Sequence, residues 1–236
     1  MTRRRRRTSS IIITVSFGVA FIAWSLLLFH SPALWALDER LVAPPLDPMS
    51  IGAQVMAAFA LLTWPGLEYI ALACLAVWAF RRRLRALATA LLLTVALGWG
   101  SADLLKIIIA RPRPADHLDV ITAIGYSYPS GHMVGVVASC VAVGAIFRVI
   151  RRSPEARLRW MVGALVLIAL VGFNRWFLGA HHIGDLIGGA LLGAFVASFS
   201  LVVCGVTVPT PHIDVVEIVR ERQVGANRPP ETPPER

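Results

Sequence analysis

Lys106 is the only lysine in the chain, and it stands near the far end of an apolar run from Ala86 to Ile109. Seven residues on come Arg113 and Pro114, then Pro129-Ser130-Gly131-His132, then Arg175, His181 and Asp185. Three cations in such a set suit an oxyanion. Arginine offers a planar donor fork that matches phosphate oxygens, and lysine a compact point charge. Ser130 adds a hydroxyl donor, and Gly131 lets a backbone N–H at a helix start come close to a ligand. His181 and Asp185 are four residues apart, so a helix puts them on one face. The carboxylate can then take one ring N–H, fix the tautomer and leave the other nitrogen free as a nucleophile. His132 can hand a proton to a leaving oxygen. The chemistry implied is phosphoryl transfer through a covalent phosphohistidine that water then hydrolyses. The cations stabilise the transition-state charge, so no metal and no cofactor is called for.

Each residue also has a plainer reading. Lys106 suits a snorkelling anchor at a helix end, or a partner for Asp103 one turn earlier. Pro129-Ser130-Gly131 suits a turn and helix cap. His181, His182 and Asp185 suit zinc, although three nearby cations would repel a metal. Arg175 suits a structural ion pair. The functional reading rests on all of these occurring together.

The elements that must position them are membrane helices. The chain has 236 residues, 56% of them hydrophobic and 16% charged, with a mean hydropathy of +0.67. Soluble domains carry roughly 25% charged residues. Apolar runs fall at about 11–31, 55–80, 86–109, 130–150, 161–179 and 184–207. Each is long enough to cross a hydrocarbon core of roughly 30 Å. The fold class predicted is all-α, a polytopic membrane bundle of six transmembrane helices. The first run follows five arginines and reads as a retained helix, being too long for the apolar region of a signal peptide. In the second, Trp64-Pro65-Gly66 predicts a kink or an interfacial start. Glu68, deep in that span, calls for a polar partner. Small residues at Gly184, Gly188, Gly189, Gly193 and Ala197 predict close helix packing. Cys74, Cys140 and Cys204 all lie in apolar runs and read as small buried hydrophobes.

The net charge of +9 does not mark a nucleic-acid partner, because the arginines flank apolar runs and do not gather on one soluble face. Arg3–Arg7, the 81–85 turn and the 148–159 loop are arginine-rich, whereas the 32–50 loop has only Arg40. The positive-inside rule makes both termini cytoplasmic. Arg111 and Arg113, in an outer loop, break the pattern and need another job. The chain divides into a basic cytoplasmic N-terminus at 1–10, a membrane domain at 11–208 and a tail at 209–236. The tail is polar and Pro-rich, buries too little apolar surface to fold alone, and is expected to be disordered. Loop arginines alone set this orientation, yet all three motifs fall at the outer face of a multi-pass cell-membrane protein. Nothing in the pattern points to an oligomeric state.

The motifs together resemble the signature of the type-2 phosphatidic acid phosphatase superfamily, to which glucose-6-phosphatase and vanadium haloperoxidases also belong. Its pattern is K-x6-R-P, P-S-G-H and S-R-x5-H-x3-D. Here Lys106-x6-Arg113-Pro114, Pro129-Ser130-Gly131-His132 and Asn174-Arg175-x5-His181-x3-Asp185 correspond. The departure is Asn174 where the family has serine; asparagine keeps a donor and an acceptor, so tuning is expected and not loss. The resemblance implies metal-independent dephosphorylation of a lipid phosphate. Its catalytic residues would be His181, His132 and Asp185, with phosphate held by Lys106, Arg113, Ser130, Gly131 and Arg175. Membrane relatives act on undecaprenyl pyrophosphate, phosphatidylglycerophosphate or phosphatidic acid, and an outward site favours undecaprenyl pyrophosphate. Other classes using similar charges are an anionic-lipid transporter and a lipid phosphotransferase. An acyl or prenyl groove has no signature here, since Leu, Val and Ala are everywhere.

Overall fold

Serine and proline mark where several of the helices begin. In the computed structural model, which describes residues 3–44, 47–114 and 125–209, Ser31 caps α2 (Pro32–Arg40) by accepting from the Leu34 N–H. Ser50 does the same for α3 (Ile51–Leu62) and Ser153 for α7 (Pro154–Phe177). The proline at the first position of α2 and of α7 has no N–H to leave unpaired. The other helices are α1 (Arg3–His30), α4 (Pro65–Arg81), α5 (Arg85–Ile109), α6 (Gly131–Val149) and α8 (Ile183–Val203). Among the described residues every regular element is a helix.

Six stretches are long and apolar enough to cross a bilayer: α1, the α3–α4 pair, α5, α6, α7 and α8. The second is broken and not merely kinked. Trp64 turns extended, with ψ 129°, and Pro65 opens a new helix. After the break α4 packs on α5 and α6, while α3 leans on α7. The short α2 lies outside the spans.

The buried pair is α6 and α8, with α1 and α5 closing on α8. Their axes come close because α8 presents bare backbone. A Cβ on Gly189 would sit 2.5 Å from the Ser130 carbonyl, and one on Gly193 2.5 Å from that of Val134. The small residues read from the sequence therefore serve packing, as a bilayer requires where no hydrophobic force separates lipid from leucine. Leu72, Leu91, Ala142 and Leu201 fill the core at one end of the bundle, and Met133, Val171 and Leu186 line another part. Val15, Val19 and Ile22 of α1 and Leu165, Val166 and Leu170 of α7 point outward, where acyl chains solvate them.

The two described ends of the chain meet: the Val208 N–H donates to Ser10 Oγ at 3.1 Å. At the opposite end of α1, Trp24 Nε1 donates to the Gly184 carbonyl at 3.0 Å. The polar motifs lie at this second end.

Several details differ from the sequence reading. α1 starts at Arg3, so the basic segment up to residue 10 is helical where described. α7 starts at Pro154, because Ser153 supplies its cap, and the arginine-rich loop shortens accordingly. α8 stops at Val203, and Gly205 follows at φ 74°. Of the cysteines only Cys140 is buried; Cys74 faces outward and Cys204 is half-exposed. Among the described residues Glu68 lacks the expected polar partner. Its Oε2 is buried without a hydrogen bond, against α6 at Gly135, where only backbone is present. Residues 210–236, almost all of the proposed tail, lie outside the described residues.

Candidate active site

Two prolines and a left-handed residue bring the first motif into place. α5 ends at Ala110, which takes φ 50° and donates its N–H to the Lys106 carbonyl at 2.9 Å. Pro112 and Pro114 then keep Arg111 and Arg113 out of helical conformation. Ser127, just before the second motif, donates its N–H and its hydroxyl to the Arg111 carbonyl, at 2.9 and 3.2 Å. The Tyr128–Pro129 peptide is cis. Ser130 then takes the N-cap position of α6, and its own N–H donates to the Asp185 carbonyl at 3.1 Å. The second motif is thus tied by backbone to the third.

These contacts enclose a cavity of about 610 Å³. Lys106, Arg113, Gly131, His132, Arg175 and His181 line one side. Ala57, Leu61, Trp64, Tyr69, Trp99 and Ala102 line the other. The chamber thus has a polar wall carrying three cations and a largely apolar wall. Lys106 reaches over the start of α6, its Nζ 3.4 Å from where a Cβ on Gly131 would stand. Among the described residues no ion pair joins it to Asp103, which also lines the cavity. Arg113 donates from Nε to the Gly125 carbonyl at 2.9 Å and from Nη1 to the Ala180 carbonyl at 2.7 Å. The same Nη1 lies 3.4 Å from His181 Nε2, and Arg175 Nη1 lies 3.3 Å from His132 Nε2. Each histidine therefore has an arginine against its Nε2.

Ser130 behaves differently from an ordinary cap. Its side chain makes no capping bond, and among the described residues its buried hydroxyl has no hydrogen-bond partner. The plain reading of this residue as a helix cap does not account for that hydroxyl. Ser130 itself is not among the residues that line the cavity, but its neighbour Gly131 is.

Asp185 is fully buried behind His181. Its Oδ2 accepts the His182 N–H at 3.0 Å and stands 3.5 Å from the Nδ1 of both His181 and His182. Distance to the carboxylate does not distinguish the two histidines. Position does: His181 lines the cavity, whereas His182 takes the N-cap of α8. At 3.5 Å the His181–Asp185 contact is longer than an ordinary hydrogen bond. Burial lowers the His181 pKa to about 4; Asp185 opposes the shift, and Arg113 and Lys106 add to it. The ring is therefore neutral at physiological pH, with Nε2 toward the cavity.

Three residues make contacts here that the sequence did not assign. Asn174 Oδ1 accepts from both Nε and Nη2 of Arg175, at 3.0 and 2.6 Å, and its Nδ2 donates to the Met56 carbonyl at 2.8 Å. Arg111, seen only as an unexplained loop charge, is completely buried and donates from Nη1 to Asp185 Oδ1 at 2.8 Å. Asp38 of α2, also buried, stands 2.9 Å from Arg111 Nη2. A lone aspartate in a short amphipathic stretch carries no signal of a partner some 70 positions away.

The model of the PAP2 superfamily matches residues 83–206. An undecaprenyl-diphosphatase of Sulfolobus acidocaldarius is 27% identical over 141 residues, covering 58% of this chain and 64% of the relative. Phosphatidylglycerophosphatase B of Bacillus subtilis is 30% identical over 93 residues, covering 38% of this chain and 44% of the relative. The chain thus aligns with less than two thirds of either. A crystal structure described as the first transmembrane PAP2 type phosphatidylglycerolphosphate phosphatase, from Bacillus subtilis, superposes with a TM-score of 0.66. That match covers 80% of this chain and 94% of the other at 23% identity. The six-span helical architecture is therefore shared.

Proposed function

Since the chain belongs to the PAP2 superfamily, we propose that it is an integral membrane lipid phosphatase working through a phosphohistidine. The observation that carries this reading is the cavity itself. It joins Lys106, Arg113, Arg175, His132 and His181 on one wall to an apolar wall suited to a lipid tail.

The lipid phosphate enters with its non-bridging oxygens toward Lys106, Arg113 and Arg175 and toward the N–H groups at the start of α6. The Ser130 hydroxyl, free of capping and next to the cavity-lining Gly131, completes the donors by turning toward the bound phosphate. His181 Nε2 attacks phosphorus, forming a P–N bond as the P–O bond to the lipid breaks. His132 gives its proton to the departing oxygen. Asp185 holds the Nδ1–H and stabilises the imidazolium charge that develops. In the second step His132 takes a proton from water, the oxygen attacks phosphorus, and the P–N pair returns to Nε2. Most of the catalysis is electrostatic: donors fixed in a water-poor pocket, aimed at charge that spreads over equatorial oxygens.

Undecaprenyl pyrophosphate is the substrate proposed, releasing undecaprenyl phosphate and inorganic phosphate. The Sulfolobus relative bears that name. The arginine-rich turns lie at the end of the bundle where the two described chain ends meet, and the positive-inside bias supports a cavity facing outward from a cell membrane. Phosphatidylglycerophosphate is the second reading, from the name of the Bacillus relative.

Phosphate release from purified protein in EDTA, across undecaprenyl pyrophosphate, phosphatidylglycerophosphate and phosphatidic acid, tests the proposal. Release lost in His181→Ala supports it and ranks the lipids. Lipid movement without release, surviving His181→Ala, supports a transporter. Phosphate recovered on a second lipid supports a phosphotransferase.

A further inference from the structure

Behind the cavity runs a buried chain of charge: Asp38, Arg111, Asp185. The Arg111 side chain has no exposed surface; its Nη1 donates to Asp185 Oδ1 at 2.8 Å, and its Nη2 forms an ion pair with Asp38 Oδ2 at 2.9 Å. Its guanidinium lies over the Trp35 ring, 4.5 Å from the centroid. Asp38 is held in turn, its Oδ1 accepting the Gly184 N–H at 2.8 Å. One carboxylate of α2 thus pairs in charge with the arginine and accepts a hydrogen bond from the first turn of α8, which carries Asp185.

We propose that Arg111 and Asp38 are positioning residues for the His181–Asp185 pair. The proposal rests on His181 being the nucleophile. Neither residue lines the cavity, so neither touches phosphate. Asp185 has two oxygens to distribute. With Oδ1 engaged by Arg111, Oδ2 is the one left to face His181 Nδ1, and the His182 N–H fixes its direction. Without Arg111 the carboxylate could rotate, and either oxygen could face either histidine, since both Nδ1 atoms stand at the same 3.5 Å. Asp38 selects the Arg111 rotamer and locks α2 over the site. Stability alone is a weak reason for this arrangement, since buried ion pairs are often matched or bettered by well-packed apolar side chains. The two arginines of Arg111-Pro112-Arg113-Pro114 then have separate work: Arg113 faces the phosphate, and Arg111 the residue that orients the nucleophile.

The test uses full-length protein in lipid nanodiscs carrying Arg111→Gln, Arg111→Lys, Asp38→Asn or Arg111→Gln with Asp38→Asn. Two readouts are taken: kcat and KM for lipid-phosphate hydrolysis in EDTA, and the ring tautomer of His181 by nitrogen-15 NMR, assigned by difference from His181→Gln. Arg111→Gln should lower kcat at least about tenfold with KM within about threefold, in line with removal of an outer partner of a working histidine. The His181 ring should change from one Nδ1–H tautomer to a mixture. Arg111→Lys should regain part of kcat, since it keeps the charge but not the fork. The double variant should be no worse than Arg111→Gln, because both residues act through one carboxylate. An unchanged kcat, or an unchanged tautomer with kcat falling only in step with folded protein, overturns the proposal. If Arg111→Gln does not fold, Asp38→Asn carries the same two readouts. If the wild type releases no phosphate, the phosphatase reading fails by itself, and the tautomer still decides whether Arg111 sets His181.

Discussion

A single oxygen, Asn174 Oδ1, accepts two donors of Arg175, from Nε at 3.0 Å and Nη2 at 2.6 Å. This bond turns the third Arg175 nitrogen, Nη1, toward His132 and the cavity. The residue that departs from the family pattern is thus the one that orients Arg175, the arginine proposed to bind phosphate. Asn174→Ala should lower kcat/KM on the order of tenfold to hundredfold, as expected for losing a hydrogen bond to a charged group of about 1.5–3 kcal/mol. Asn174→Asp keeps the acceptor and should retain more activity. Equal activity in wild type and Asn174→Ala would mean that Arg175 is held by other contacts.

His181→Ala and His132→Ala should each reduce phosphate release by at least about a thousandfold, the scale seen when a covalent catalytic set loses a member. Both variants should keep the wild-type melting temperature within a few degrees. Chelation should leave the wild-type rate unchanged, because the fixed cations supply the charge stabilisation. Vanadate, which adopts the five-coordinate geometry of the reacting phosphorus, should inhibit. A rate that collapses in EDTA and returns with magnesium would contradict the assignment of Lys106, Arg113 and Arg175.

The pH dependence follows from the burial of His181. Its pKa lies near 4, below the ordinary histidine value, so Nε2 keeps its lone pair until the pH approaches 4. Protonation below that point removes the nucleophile. The acid limb of kcat/KM, once the ionisation of the substrate phosphate is divided out, should therefore fall below pH 5 and not near the ordinary histidine value of about 6.5. A limb at 6.5 would place the free ring in water-like surroundings, against the buried position found here.

Ser130→Ala separates catalysis from capping. The side chain makes no cap bond, so its loss should cost less than the roughly 1 kcal/mol typical of a capping serine. Activity should nonetheless fall about tenfold, as one donor to the transition state is lost. Ser50→Ala, which removes a real cap on α3, should show the reverse, with lower stability and activity per folded molecule nearly intact.

Gly189→Ala should damage both. The added methyl would meet the Ser130 carbonyl and Met133, forcing α6 and α8 apart at the level of the site. Overpacking of this kind costs about 1–3 kcal/mol. Thermal unfolding and phosphate release measured together should fall together. Gly163→Ala in α7, with open space around it, should change neither.

The spans were legible because the bilayer imposes their length and apolarity on each helix separately. The motifs were legible because short-range spacing within Pro129–His132 and Arg175–Asp185 reflects local geometry. Lys106, Arg113 and the two histidines could be named from residue type and order alone. Spacing to Asp185 points to His181, but what separates it from His182 is tertiary: both rings stand equally far from Asp185, and only His181 lines the cavity. The sequence could not assign Arg111 or Asp38, since one salt bridge joins a loop to a helix more than seventy positions earlier and nothing local marks either end. Nor could it show that Glu68 faces bare backbone at Gly135, or that Asn174 turns to Arg175 and not to solvent. Spacing within one helix is a property of the chain, written in its periodicity. Which buried charge meets which, across helices brought together by glycine, depends on packing, and packing exists only once the bundle has closed.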